Sequence, residues 1–245
     1  MESQDEAGLL PRVRYQFPRP LVPGRLVRRY KRFLADVLLE DGEQVTAHCP
    51  NSGSMLGCLA DEAPVYLSPS DNPRRRTAYT WEMIQIGGGW VGINTLVPNR
   101  LVASAARLGV PPLFTGVEEV RTEVKVSDHS RLDLLVQRRD GPLYLEVKNV
   151  TLVQQGQARF PDARTTRGAR HLEELMRLAA QGAGAAMVYL VQRGDAGSFA
   201  PAEDIDPHYA ELYHQARRSG VEILVWQAAV SPQGIHLSRR LPLAS

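Results

Sequence analysis

The sequence predicts two joined domains in a chain of the α/β class with an all-β N-terminal part. Residues 1–97 read as an OB-fold-like barrel, and residues 98–245 as a mixed-sheet domain. Three observations predict this. Five short strand-like stretches crowd into about 70 residues with no strong helix among them. From Pro98 the pattern changes to helix, three strands, helix, strand, helix and strand, the order of an α/β layer structure. Within that second half, Asp133 and the tripeptide Glu146-Val147-Lys148 fall on two neighbouring strands joined by a short turn.

The first fourteen residues open acidic and polar, Met1-Glu2-Ser3-Gln4-Asp5-Glu6, and are expected to form a loose tail. Barrel strands are expected at residues 32–39, 44–49, 64–67, 77–86 and 90–94. Asp41-Gly42, Asn51-Ser52-Gly53 and Gly87-Gly88-Gly89 supply the turn chemistry between several of them. A small closed barrel suits short strands because closure removes exposed edges. The glycine triplet reads as a hairpin turn, since a phosphate loop would need a helix behind it.

Residues 98–108 begin with Pro98 and keep helical spacing. Strands follow near 118–126, 131–136 and 143–150, the last two linked by the turn-forming Arg138-Arg139-Asp140-Gly141-Pro142. Residues 165–181 carry Leu172, Leu175, Met176 and Ala179 near helical period. A buried-type strand at 185–191, a helix at 206–218 and a strand at 221–228 complete the second domain.

Composition excludes several classes. Apolar and charged fractions are those of a globular chain, and no apolar run approaches the roughly 18 residues of a membrane span. Cys49 and Cys58 are the only cysteines, which argues for packed, reduced thiols rather than a disulfide framework, and the expected location is cytoplasmic. A zinc site at His48-Cys49 lacks a visible fourth ligand. The net charge of +2 is small, but basic residues crowd at 12–32 and again at Arg74-Arg75-Arg76, stripes that can follow a phosphate backbone.

Side chains alternate along a strand, so Glu146 and Lys148 share a face while Val147 points to the core. A hairpin would bring Asp133 alongside. Two carboxylates and a lysine are the parts of a metal-dependent phosphodiesterase: Asp133 and Glu146 bind Mg²⁺ or Mn²⁺, helped by the Val147 carbonyl, and Lys148 positions the attacking water. The same pattern also arises as a cross-strand charge pair on a solvated face.

The chain resembles the sugar fermentation stimulation protein family, SfsA. The resemblance rests on Arg29-Tyr30-Lys31-Arg32-Phe33-Leu34-Ala35-Asp36, on His48-Cys49-Pro50-Asn51-Ser52-Gly53-Ser54-Met55 and on Asn99-Arg100-Leu101. It continues through Ser130-Arg131-Leu132-Asp133, Glu146-Val147-Lys148-Asn149-Val150 and Phe160-Pro161-Asp162-Ala163. It implies an N-terminal OB-fold, a C-terminal domain of the PD-(D/E)XK nuclease type and DNA binding. Asp133 is then the motif's first acid, and Glu146 and Lys148 its E-x-K. Leu132 stands where the motif name has Pro. Ala103-Ser104-Ala105-Ala106 stands where such nucleases often place a helical Glu, a departure that leaves Ser104 as the position to test and Glu123 as another acid for the pocket.

Residues expected to touch nucleic acid are Arg29, Tyr30, Lys31 and Arg32 in the barrel, then Arg74, Arg75 and Arg76 in a loop beside Tyr79 and Trp81. Arg131, Arg167 and His171 are expected to do so in the second domain. Phe33 is expected in the core. The partner is DNA, with RNA as the alternative, and no membrane. The expected function is a DNA-binding protein with a divalent-metal-dependent nuclease site. The alternative is a non-catalytic DNA-binding regulator of sugar catabolism that keeps the nuclease fold as a scaffold. A sugar- or nucleotide-binding module is a third reading.

Overall fold

The computed structural model describes residues 2–127 and 130–244. The N-terminal segment is the first departure from expectation. It forms helix α1 (Glu2–Leu9), a single 3-10 turn and the short strand β1 (Arg14–Tyr15). Leu10 and Val13 are fully buried in the core of the C-terminal domain, and β1 pairs antiparallel with that domain's last strand. The segment is therefore docked and not a loose tail; two apolar side chains amid polar ones are enough to anchor it.

The barrel comprises β2 (Val22–Tyr30), β3 (Leu34–Leu39), β4 (Gln44–His48), β5 (Pro64–Pro69), β6 (Tyr79–Ile86) and β7 (Gly89–Gly92). Strands run in the order β4-β3-β2-β5-β6-β7, and a parallel β4–β6 pairing closes five of them into an OB-type barrel. Inside lie Leu26, Val37, Ala47, Cys49, Met55, Trp81 and Ile84. β2 escapes a sequence reading because Arg25, Arg28 and Arg29 interrupt its apolar alternation. Trp81 is wholly buried with its Nε1–H donated to the Met83 carbonyl, 3.0 Å, so it stacks no base. Phe33 departs in the other direction. Lys31 (φ 48°) and Arg32 (φ 63°) both adopt the left-handed region, and this tight turn throws the Phe33 ring outward, 48 % exposed rather than in the core.

The second domain begins with α2 (Leu96–Arg107). Strands β8 (Val117–Lys125), β9 (Arg131–Arg138) and β10 (Gly141–Val150) follow, then the short β11 (Leu152–Gln154) and β12 (Gln157–Phe160). Helix α3 (Thr166–Ala180), β13 (Gly184–Val191), β14 (Ser198–Pro201), α4 (Pro207–Arg218), β15 (Glu222–Ser231) and β16 (Gly234–Arg240) complete it. The seven-stranded mixed sheet runs β1-β16-β15-β13-β10-β9-β8, with β10, β13 and β15 parallel at its centre. Burial on both faces explains the near-continuous apolar runs of β13 and of the middle of β15. α2 packs on one face around Leu101, Val136, Leu145 and Val188. α3 and α4 cover the other, with Leu172, Leu175, Tyr209 and Tyr213 against Met187 and Tyr189.

The two domains meet closely. The Gly92 N–H donates to the Gln192 carbonyl, 2.8 Å, and Gln192 Nε2 donates back to the Asn94 carbonyl, 3.2 Å. No helix among the described residues is long and apolar enough to cross a membrane.

Candidate active site

The hairpin that carries the acids is regular only over part of its length. β9 and β10 are in register from Gly141 opposite Arg138 to Leu145 opposite Leu134, and beyond that point the ladder ends. The gap leaves the Val147 N–H without a strand partner, and Asp133 fills it: Val147 N donates to Asp133 Oδ2, 2.8 Å. Asn99, on the first turn of α2 below, donates from Nδ2 to Asp133 Oδ1, 2.8 Å. Asp133 is thus fixed by a helix and a strand, facing the E-x-K strand as the sequence spacing predicts.

Glu146 is 3 % exposed. Its Oε1 accepts from Lys148 Nζ, 2.5 Å, and also contacts His171 Nδ1, which lies 3.0 Å from the same Lys148 Nζ. Its Oε2 is buried with no hydrogen-bond partner. A buried lone carboxylate oxygen is costly unless something positive or protic meets it. Burial raises the Glu146 carboxyl, but Lys148 and His171 outweigh burial and hold it below the usual range. Asp133 goes the other way: burial first, then the Glu146 charge, push it up to about 6, against the opposing pull of Val147, Lys148 and Asn99.

Asn99, Asp133, Glu146, Val147 and Lys148 line a cleft of about 600 Å³ between the two domains. From the barrel come Arg29, Arg32 and the loop 51–54; from the second domain come Asp133, Glu146, Lys148, Arg159, Arg164 and Arg167. Arg32, Arg164 and Arg167 are exposed there and form no ion pair among the described residues. Arg164 was not expected, because a lone arginine in a loop gives no sequence signal. Asp162 was also missed as a site residue. Its Oδ2 accepts from Ser54 Oγ, 3.0 Å, and from the Met55 N–H, 2.8 Å, tying the barrel loop to the second domain.

Several expected contacts fall elsewhere. Arg29 donates from one amino group to the Asn51 and Gly53 carbonyls, 2.9 Å each, so it shapes the loop instead of presenting a free charge. Tyr30 donates to Asp36 and lies beneath Arg28, 4.9 Å from ring centre to guanidinium carbon. Lys31 is exposed on the turn but outside the cleft lining. His171 is 5 % exposed behind Glu146 and Lys148, so it is a packing and positioning partner of the acid and not a phosphate contact. Arg131 leans 3.7 Å from Glu123, and both lie outside the cleft, which corrects their placement beside the acids. Ser104 likewise lies outside it; α2 presents Asn99 to Asp133, and five residues further on is a different helical face. Arg74, Arg75 and Arg76 do not share this cleft; Arg75 lines a second one.

Among the described residues no three or more His, Cys, Asp or Glu side chains gather as a metal cage. Cys49 and Cys58 are buried free thiols, Cys49 Sγ 3.7 Å from Met55 Sδ and Cys58 Sγ 3.4 Å from the Thr151 carbonyl.

Residues 27–93 match the model of the SfsA N-terminal OB domain, and residues 96–234 match that of the sugar fermentation stimulation protein RE domain. The chain belongs to the sugar fermentation stimulation protein family. A homologue from Geobacter sulfurreducens is 53 % identical over 92 % of this chain and 97 % of its own length. Another, from Rhodospirillum centenum, is 52 % identical over 94 % of this chain and all of its own. Among solved structures, SfsA of Pyrococcus furiosus, in complex with Ca²⁺, superposes with a TM-score of 0.87 at 25 % identity, covering 94 % of this chain and 98 % of that one. The SfsA match to the barrel ends at Ile93 and the second begins at Leu96, where α2 starts.

Proposed function

We propose that this SfsA protein binds DNA along the interdomain cleft and hydrolyses phosphodiesters there with a divalent cation. The observation that carries the reading is the buried, partnerless Oε2 of Glu146 beside Asp133 in a cleft rimmed by unpaired arginines. Hard oxygen donors of this kind suit Mg²⁺ or Mn²⁺, and the Pyrococcus furiosus relative was solved with Ca²⁺, a cation of the same hard class. Asp133 and Glu146 are the residues that would hold the ion, with the Val147 carbonyl as a neutral third donor. Bound there, a divalent cation supplies neutralisation of phosphate charge and a lowered water pKa.

The protein's own side chains do the rest. Lys148, locked against Glu146 and His171, donates from a fixed position at the cleft floor, where it can orient an attacking water or stabilise charge gathering on the phosphate. His171 holds Glu146 and Lys148 in place from behind. Arg32, Arg164 and Arg167 bind backbone phosphates on either side, which positions the strand without reading its sequence.

The deciding experiment incubates the protein with single-stranded, duplex and branched DNA in Mg²⁺, Mn²⁺ or EDTA, alongside Mn²⁺ calorimetry of Asp133→Asn and Glu146→Gln. Metal-dependent cleavage lost in Lys148→Ala, with Mn²⁺ affinity lost in both acid variants, is the expected result. Equal Mn²⁺ affinity in all three proteins would sink the shared site. One observation favours the regulator reading: among the described residues no third His, Cys, Asp or Glu joins Asp133 and Glu146 as a metal-holding group, and Asp162, the other acid of the cleft, is engaged by Ser54 and Met55. DNA binding without cleavage in any metal would establish it.

A further inference from the structure

A second cleft, nearly as large as the first at about 580 Å³, lies between the barrel, α2 and the N-terminal segment. Its lining alternates along the chain with that of the first: Pro50 against Asn51, Leu96 against Thr95, Arg100 against Asn99. Thr95 Oγ1 donates to the Pro50 carbonyl, 2.9 Å, joining the two segments that separate the clefts. The volume falls within the roughly 300–1,000 Å³ of small-molecule sites.

Its floor holds Glu82, 3 % exposed. β6 carries a bulge here: Trp81 stands opposite Leu67 and Met83 opposite Tyr66, leaving Glu82 as the extra residue. Bulges re-aim side chains, and this one turns a carboxylate out of the barrel core into the cleft. Glu82 Oε1 accepts from Ser68 Oγ, 2.6 Å, and Oε2 from Asn94 Nδ2, 2.8 Å. Each oxygen takes one bond and keeps acceptor capacity for another.

Cations face this acid without touching it. Arg75 donates to Thr80 Oγ1, 2.9 Å, and Arg100 rests over the Tyr15 ring at 5.3 Å, its Nη1 3.3 Å from the Tyr15 hydroxyl. Neither arginine is paired with a carboxylate among the described residues, yet both sit close enough to bias Glu82 electrostatically, against the stronger upward push of its burial. His48 adjoins Arg75 on the same wall. An ion pair built for stability would close these charges on one another; here they converge on a cavity.

We propose that this second cleft binds a phosphate monoester on a hydroxyl- or amino-bearing body, the anion held between Arg75 and Arg100 and the donors by Glu82. A free nucleotide or sugar phosphate and the 5′-phosphorylated end of a strand share that chemistry. The site stands apart from Asp133 and Glu146 of the first cleft and does not depend on metal.

The test is calorimetric titration of the full-length protein with ribose 5-phosphate, with ribose as the phosphate-free control, and with pentathymidylate carrying or lacking a 5′-phosphate. A phosphorylated probe binds and its unphosphorylated counterpart binds at least tenfold more weakly; Arg100→Gln and Arg75→Gln each lose about tenfold, the worth of one charge-assisted contact. Glu82→Gln weakens the probe as well, while Asp133→Asn leaves its affinity unchanged. Tight binding of ribose 5-phosphate alone assigns the site to a free metabolite; preference for the phosphorylated oligomer assigns it to a strand end. The proposal is overturned if no phosphorylated probe binds at millimolar concentration. It is equally overturned if binding survives both arginine substitutions, or is lost in Asp133→Asn, which would place the probe in the first cleft.

Discussion

Asp133 shows how a single side chain carries both structure and chemistry. It accepts from Val147 and Asn99, yet burial and the neighbouring Glu146 push its carboxyl up to about 6. The ordinary value, 3.8, is the reference for the unfolded chain. The folded protein therefore holds the proton more tightly, and the favourable contribution is complete below pH 3.8 and lost as pH rises through about 6. Asp133→Asn should then stabilise the metal-free protein at pH 7.5, by up to about 3 kcal/mol, and have little effect at pH 4. Melting curves in EDTA at the two pH values measure this; a gain independent of pH would refute the titration. Phe33 makes the converse case. Its ring is 48 % exposed beside Arg32, so Phe33→Ala should change stability by less than about 0.5 kcal/mol. If DNA follows the cleft, the same change costs about 1 kcal/mol or more of binding, since a base stacks on a free ring; filter binding at fixed salt reads it. Asp133, Glu146 and Lys148 were legible because strand alternation fixes which neighbours share a face. Phe33, Trp81 and His171 were not, because their burial is set by a left-handed turn, a barrel interior and a helix packed from a distant part of the chain.

At the scale of elements, the second domain's apolar strands and amphipathic helices stand out in the sequence, and each expected one is present with its ends shifted by a few residues. The elements that escaped are short, broken by charge or dependent on a distant partner. β2 is masked by arginines that point outward from a barrel, β11, β12 and β14 are too short to show a period, and β1 exists only because β16 pairs with it. The N-terminal segment gives the sharpest test. Leu10 and Val13 bury completely against the second domain, and Trp226 Nε1 donates to Glu6 Oε1, 3.1 Å. Removing residues 1–13 should cost about 3–5 kcal/mol, the burial worth of two aliphatic side chains. Urea denaturation followed by circular dichroism would report it as a lower midpoint. An unchanged midpoint would return the segment to the status of a loose tail.

On the whole-molecule scale, the domains make one cleft together because a barrel loop reaches across and is held. The Asn51-Ser52-Gly53-Ser54-Met55 loop is shaped from the barrel side by Arg29 and clamped from the other by Asp162. Gly53 sits close at this seam: a Cβ there would lie 3.1 Å from Asp162 Oδ2 and 3.0 Å from Asn51 Oδ1, so a side chain would press on both groups that shape the loop. Asp162 is thus a residue through which the second domain fixes this loop, and its loss should loosen the loop without unfolding either core. Asp162→Ala removes the acceptor of the Met55 N–H, while the Ser54 hydroxyl keeps its 2.7 Å bond to the Asp162 carbonyl, and should cost about 1–3 kcal/mol of interdomain stability. Hydrogen exchange is the discriminating measurement, because Met55 N–H donates only across the seam, whereas the Cys49 N–H donates to the Phe33 carbonyl inside the barrel. Exchange at Met55 should quicken while Cys49 stays protected. Asp162→Asn, which keeps one acceptor, should fall between wild type and alanine. DNA binding should weaken in the same order, because Arg32 and the loop would no longer stand at a fixed distance from Arg164 and Arg167 across the cleft. If Met55 and Cys49 exchange alike in Asp162→Ala, the Asp162 carboxylate does not hold the loop, and its place is kept by Arg29 from the barrel side and by the bond from Ser54 Oγ to the Asp162 carbonyl from the other.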